Sequence, residues 1–262
     1  MRAGFTALLA LCLGVTLAFL TIPILALFTE VPLRDVPGLL RDPAVRDTLA
    51  VTLRTNAVAN ALILGFGTPA AYLLGTRRFP GRGLMITLIE LPLVLPPAVA
   101  GIALLAAVGP STLLGRAAQD AGLQLTLATA GVVVALTFVA APFYLRQAIA
   151  AFEAVDATLL DASRTLGASP ARTFARVAIP TALPGLVAGT ALALGRALGE
   201  FGATLMFAGS FQGVTQTVPL AIYDRFATDF TAALALSAVL VAVSAAILLS
   251  VKLVRGPDAV AR

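Results

Sequence analysis

Six stretches of roughly 20 to 25 mainly apolar residues dominate this sequence, and each is long enough to cross about 30 Å of hydrocarbon at 1.5 Å per residue. No water reaches backbone N–H and C=O groups inside hydrocarbon, so such stretches must fold as helices that satisfy themselves. They run from Phe5 to Phe28, Ala50 to Gly75, Leu84 to Val108, Leu125 to Ala148, Leu183 to Met206 and Phe230 to Val254. An amphipathic segment around Arg46–Arg54 leads into the second. The expected fold is therefore all-α: a polytopic membrane protein with six transmembrane helices. Composition agrees. Hydrophobic residues make up 59% of the chain, charged residues 12%, and the mean hydropathy is +0.98. A soluble domain carries about 25% charged residues, so this chain needs lipid as the solvent for much of its surface.

The first stretch follows Arg2 as a signal peptide's would, but its apolar run is too long for a typical signal. A retained helix, peripheral to the rest, is the favoured reading. Placing both termini in the cytosol puts Arg77, Arg78 and Arg82 on the inner side at one loop and Arg146, Arg164, Arg172 and Arg176 at another. That placement follows the positive-inside bias, and the acids Glu30, Asp35, Asp42 and Asp47 then offset the arginines of the first outer loop. The outer loops are short, which leaves no room for a large external domain.

Several chemistries are excluded. Histidine is absent, so Ser-His-Asp and Cys-His nucleophiles and the HExxH zinc motif cannot be assembled. The single cysteine, Cys12, permits neither an internal disulfide nor a cysteine-rich metal site. The one lysine, Lys252, lies near the C-terminus and disfavours a Ser-Lys dyad. The net charge of +5 is dispersed between apolar runs and forms no basic face with interleaved aromatics, so nucleic acid is not an expected partner; membrane lipid is.

Glu153–Pro180 differs from every other loop: it is long, polar and patterned like a helix. Leu159, Leu160, Leu166, Phe174 and Val177 sit at spacings that allow apolar stripes. Gly167 suits a left-handed helix end, Ser169 an N-cap and Pro170 the first position of a second helix. The prediction is helix, tight turn, helix, then a break at Pro180 and Pro184. Read from its residues alone, the segment is equally a docking element or an amphipathic loop on the membrane surface.

The order Asp161-Ala162-Ser163, three residues, Gly167, nine residues, Val177-Ala178-Ile179-Pro180 resembles the Glu-Ala-Ala loop of permease subunits of ATP-binding-cassette importers. The spacing matches throughout. Asp replaces Glu, Ser the second Ala, Val the Ile and Ile the Leu. The resemblance covers about Thr48 to Val254, the type I importer permease core. It implies residues 1–47 as an N-terminal helix and outer loop, 48–254 as the core with a coupling loop at 153–180, and 255–262 as a short cytosolic tail. It also implies that Asp161, Ala162, Ser163, Gly167 and Pro180 shape a contact with an ATPase subunit. Leu159, Leu160 and Leu166 would be its apolar anchors. The chain has no Gly-x-x-x-x-Gly-Lys-Ser/Thr run, so ATP and magnesium belong to the partner and the chain itself is a non-catalytic transport subunit without a cofactor.

The fifth stretch carries Arg196 and Glu200, at i and i+4, with Arg196 about 20 Å in from Leu183. Charges at that depth pair with each other or face a pathway; pairing is preferred here, in a pore-lining position either way. Gly199, Gly202 and Thr204 allow close helix approach or local unwinding. Beyond them, Ser210, Gln212, Thr215, Gln216 and Thr217 form a polar outer loop of a kind that suits an oxyanion. The block from Gly195 to Thr204, with Ala208-Gly209 after it, is similar to molybdate permeases. The related sulfate permeases usually carry Tyr and Ser where this chain has Phe201 and Ala203. In the third stretch Pro92, Pro96 and Pro97 should kink or break the helix, either as a flexible gate wall or as a fixed packing kink. Glu90 should pair with an arginine or a helix end, and Asn56 and Asn60 should bond helix to helix.

The resemblance therefore implies a molybdate or tungstate importer working as a homodimer, with two ATPase subunits and an extracytoplasmic oxyanion-binding protein, in the inner membrane. A sulfate importer is the near alternative. An ion-coupled secondary transporter would want acidic relays and inverted repeats. Only Glu90 and Glu200 are embedded acids, and no repeat is visible.

Overall fold

The computed structural model describes residues 2–31 and 36–254. The 255–262 tail and the Arg34–Asp35 part of the first loop lie outside the described residues. The fold is helical: α1 (Arg2–Glu30), α2 (Val36–Arg41), α3 (Pro43–Thr76), α4 (Arg82–Val94), α5 (Pro97–Val108), α6 (Leu113–Asp120), α7 (Thr129–Glu153), α8 (Ala157–Thr165) and α9 (Pro170–Thr173) come first. A π-helical turn (Phe174–Ala178), α10 (Ile179–Leu198), α11 (Gly202–Ala208), α12 (Val218–Phe226) and α13 (Phe230–Val254) follow. Five helical runs are long and apolar enough to cross a membrane: α1, α3, α7, the run Pro170–Leu198, and α13.

The sixth expected crossing is broken. α4 and α5 are bent by 119° across Leu95 and Pro96. Proline disfavours helical backbone in the residue before it, and here two prolines stand in tandem. Leu95 and Pro96 are accordingly extended, with ψ of 131° and 138°, and Pro97 opens α5, where its missing N–H costs nothing. Pro92 sits inside α4 without ending it. α4 runs beside α7, whereas α5 turns onto α11 and meets α7 at few points. Arg82 pairs with Glu153, Glu90 with Arg146, and Ala100 and Leu104 join Ala135 and Val139 in one apolar cluster. By length and composition the described residues hold five crossings, or six with the bent pair taken as one.

The run expected as one helix from Leu183 to Met206 is also broken, at Gly199–Phe201. Two glycines flank the gap, and glycine costs about 1 kcal/mol per helical position relative to alanine. The break expected at Pro180 and Pro184 is absent. Pro180 lies in the first turn of α10, where its lack of an N–H is tolerated, and Pro184 lies inside the same helix. The π-helical turn just before it accommodates the change: Ile179 N–H donates to Phe174 C=O, five residues back.

α7 is the hub, packed by α3 on one side and α10 on the other. Tyr144, 1% exposed, lies where α3, α7 and α10 meet, and its hydroxyl is 2.6 Å from Thr68 Oγ1. Gly67 of α3 and Gly189 of α10 let those helices close on its ring, a small-residue contact of the kind that drives packing in lipid. α3 has 34 residues and is about 50 Å long at the helical rise, so it projects beyond the hydrocarbon. Asp42 caps it by accepting from Ala44 N–H at 3.0 Å. α1 stands apart, with none of its apolar window buried, and meets the rest chiefly where Val31 packs on Ala235 and Ala238 of α13.

Candidate functional site

The segment between α7 and α10 is the helix, turn, helix that its residues predict. Asp156 caps α8 by accepting from Thr158 N–H at 2.9 Å. That hydrogen bond holds the Asp156 carboxyl below the ordinary aspartate range. At the other end, Gly167 N–H donates to Arg164 C=O at 2.9 Å and Ala168 N–H to Ser163 C=O at 3.1 Å, which is a Schellman closure. It needs a left-handed residue, and Gly167 has φ +80°. Ser169 accepts from Arg172 N–H at 3.3 Å and starts α9, with Pro170 as its first residue. A hydroxyl contact of 3.0 Å between Ser163 and Thr173 ties the two arms together. Asp161 is spent locally on Arg164 at 2.9 Å, and Ala162 is exposed.

The three leucines part company. Leu166 is 88% exposed at the tip and Leu159 47%, but Leu160 is only 6% exposed and belongs to the chain's own core. Leu160 therefore anchors the loop to the bundle and offers nothing to a partner. Pro180 is exposed at the start of α10 and sits away from the tip.

Arg196 and Glu200 form an ion pair of 2.5 Å. They do so across the end of α10 and not along a continuous helix. Glu200 is 1% exposed, and its other oxygen accepts from Ala203 N–H at 2.7 Å, so the carboxylate also starts α11. Thr204 is fully buried, with no hydrogen-bond partner for its hydroxyl among the described residues; Arg196 keeps a quarter of its side chain exposed. The break in the third crossing lies against this one. A Cβ on Gly202 would stand 2.7 Å from Cβ of Pro97, a distance real Cβ atoms do not reach, so only glycine fits. Pro96 and Pro97 are exposed on the other side. The structure thus brings the two broken crossings together at the residues singled out in sequence, with Glu200 and Thr204 inside the chain.

Other expectations fare differently. Glu90 pairs with Arg146 at 3.7 Å, as a pairing role requires. Asn56 and Asn60 do not bond across helices: their amide groups donate back to Thr52 and Asn56 carbonyls of α3 at 3.0 Å. The polar loop after α11 satisfies most of its groups itself, apart from Thr217, whose buried hydroxyl has no partner among the described residues. Thr215 accepts from Phe211 N–H and donates to Gly209 C=O, while Ser210 and Gln216 both donate to Asp224. In sequence Arg146 counts only as one of the inner-side arginines, with no site role. It is an isolated charge at the end of an apolar run, which looks like a boundary marker until α4 is placed beside it.

The sequence from residue 67 to 255 matches the family described as binding-protein-dependent transport system inner membrane component. The chain is 42% identical over 235 residues to the molybdenum transport system permease protein ModB of Mycobacterium tuberculosis, covering 90% of this chain and 89% of the relative. It is 32% identical over 252 residues to the sulfate transport system permease protein CysT of Salmonella typhimurium, covering 95% and 91%. A chain from the crystal structure of a bacterial alginate ABC transporter shares the fold, with a TM-score of 0.73 at 17% identity, covering 94% of this chain and 92% of the other. Broken crossings, a turn-tipped loop and these matches lead to one assignment: the chain belongs to the inner-membrane component family of binding-protein-dependent transport systems, as a multi-pass, non-catalytic permease subunit of an ABC importer that works with an ATPase and a binding protein.

Proposed function

We propose that this chain is the membrane-spanning subunit of an importer for molybdate, with tungstate as an equivalent cargo because the two anions have nearly equal size and charge. The observation that carries this reading is near-complete alignment with a molybdenum permease at 42% identity, against 32% for a sulfate permease. In this reading two copies enclose the pathway, both termini are cytosolic, and an extracytoplasmic protein delivers the oxyanion. Two ATPase subunits bind the ATP and magnesium. The α8–α9 loop docks on the ATPase, with exposed Leu166 and Leu159 as its apolar contacts and Asp161, Ala162, Ser163 and Gly167 setting its shape. Closure of the ATPase pair would tilt Pro170–Leu198, which is continuous with the loop through the π-helical turn. The Arg196–Glu200 junction, Thr204 and the Pro96–Pro97 break would then rearrange as the gate.

The test is uptake by the complete transporter in proteoliposomes, with labelled molybdate competed by tungstate and by sulfate. Tungstate should compete at equal concentration and sulfate only in large excess. Sulfate competing as well as tungstate would move the assignment to the sulfate group. Replacing only the tip, 164–169, by a flexible linker of equal length should abolish uptake while leaving the permease folded, because buried Leu160 and Thr173 stay in place; retained uptake would sink the docking role.

A further inference from the structure

Two arginines lie well inside the crossings that pack around α7, and the structure treats them in opposite ways. Arg196 is held at 2.5 Å by a carboxylate that is 1% exposed, so its charge is already neutralised. Arg146 lies seven residues, or about 10 Å, inward from Glu153 at the loop end of α7. Among the described residues its only ion pair is a loose one, 3.7 Å to Glu90, and its side chain is 72% exposed. It stands between two clefts of about 260 and 340 Å³. Glu90 of α4 and Glu153, whose charge is taken up by Arg82, share the first with it, and Gln147, Phe143 of α7 and Leu192 of α10 the second. An exposed guanidinium, carboxylate and amide at that depth are poor neighbours for acyl chains, so this face of α4, α7 and α10 has to look onto water or protein.

We propose that Arg146 is an anion-contact residue of the transport pathway, binding the tetrahedral dianion on the loop-end side of the Arg196–Glu200 junction. This deepens the oxyanion reading and rests on it. Glu90, 3.7 Å from the guanidinium, competes with the anion for it. The site is therefore weak by construction, as a release site must be if the cargo is to leave. In a two-fold pair of chains the arrangement would occur twice, once on each wall. Gln147 offers an uncharged donor to an oxygen that the guanidinium does not reach.

The experiment uses the complete transporter in proteoliposomes with Cys12, the sole cysteine, changed to alanine. Arg146→Gln should lower molybdate uptake at least about tenfold, the factor that one lost charge-assisted hydrogen bond carries, while binding-protein-stimulated ATP hydrolysis persists. Arg146→Lys should keep most of the uptake. Arg146→Cys should regain it after an aminoethyl methanethiosulfonate, which restores a cation, and not after the sulfonatoethyl reagent. Molybdate on the loop side should slow that modification. The proposal is overturned if Arg146→Gln transports at the parental rate, if both reagents act alike, or if uptake and ATP hydrolysis fall together in an intact complex. A guanidinium that merely reaches lipid headgroups would give modification insensitive to the anion, which also overturns it. Should the parent carry sulfate and not molybdate, the molybdate reading fails, and the same variants are read on sulfate to judge Arg146.

Discussion

Glu200 does three things with one carboxylate: it neutralises Arg196, starts α11 through Ala203 N–H, and fills a space closed to solvent. Removing it strands a largely buried guanidinium. Glu200→Ala should therefore destabilise the chain by about 3–5 kcal/mol, read as a lowered Tm in detergent. Replacing both Arg196 and Glu200 by methionine should cost much less, because no unpaired charge remains. Comparable losses from the single and double variants would show that the pair is not what holds the junction. Gly202→Ala should also destabilise, since its methyl would meet Pro97 side chain and Ala98 backbone. The pairing was legible in sequence from the spacing of two charges in an apolar run. The carboxylate's part in ending one helix and starting another was not, because hydropathy is blind to where a helix stops inside lipid.

At the scale of elements, the loop between α7 and α10 divides its leucines by exposure, and substitutions should follow that division. Leu166→Glu should leave permease stability within about 0.5 kcal/mol yet prevent copurification of the ATPase, since Leu166 touches little of its own chain. Leu160→Ala should cost about 2–5 kcal/mol in stability, because it empties part of the core under α8. Gly167→Ala has free space but the wrong backbone, and should cost about 1 kcal/mol, with Gly167→Asn milder. Asp156 adds a pH dependence. Its pKa is lowered on folding, so its stabilisation is present above the ordinary aspartate pKa and is lost as pH falls through the folded value. The start of α8 should loosen there, seen as faster amide exchange at Thr158. Gly167, Ser169 and Pro170 announced this element because each has a local backbone reason to be where it is. The π-helical turn had no such marker. It answers the placement of Pro180 within a helix that tertiary packing keeps continuous, and proline alone reads as a stop.

For the whole molecule, hydropathy located the crossings but not their partners. α1 is more apolar than α3 or α7 yet buries none of its window, whereas α7 buries half of its own. Replacing α1 by an unrelated single span of the same orientation should therefore leave the assembled complex and its uptake intact; loss of assembly would mean that α1 is part of the core. The breaks in the third and fifth crossings meet at Pro97 and Gly202, and α5 and α11 pack closely beyond them, with Gly101 against Ala203 and Met206. Two beams jointed side by side behave as a linkage whose upper arms move together. Spin labels placed one on α5 and one on α11 should keep their separation through the ATP cycle, while labels on α4 and α5 should not. Such a linkage would damp displacement at its joints, so if the α8–α9 loop docks as proposed, a large swing there need reach the opposite surface only as a small rotation, and a protein seated on that surface could stay docked while the other end works.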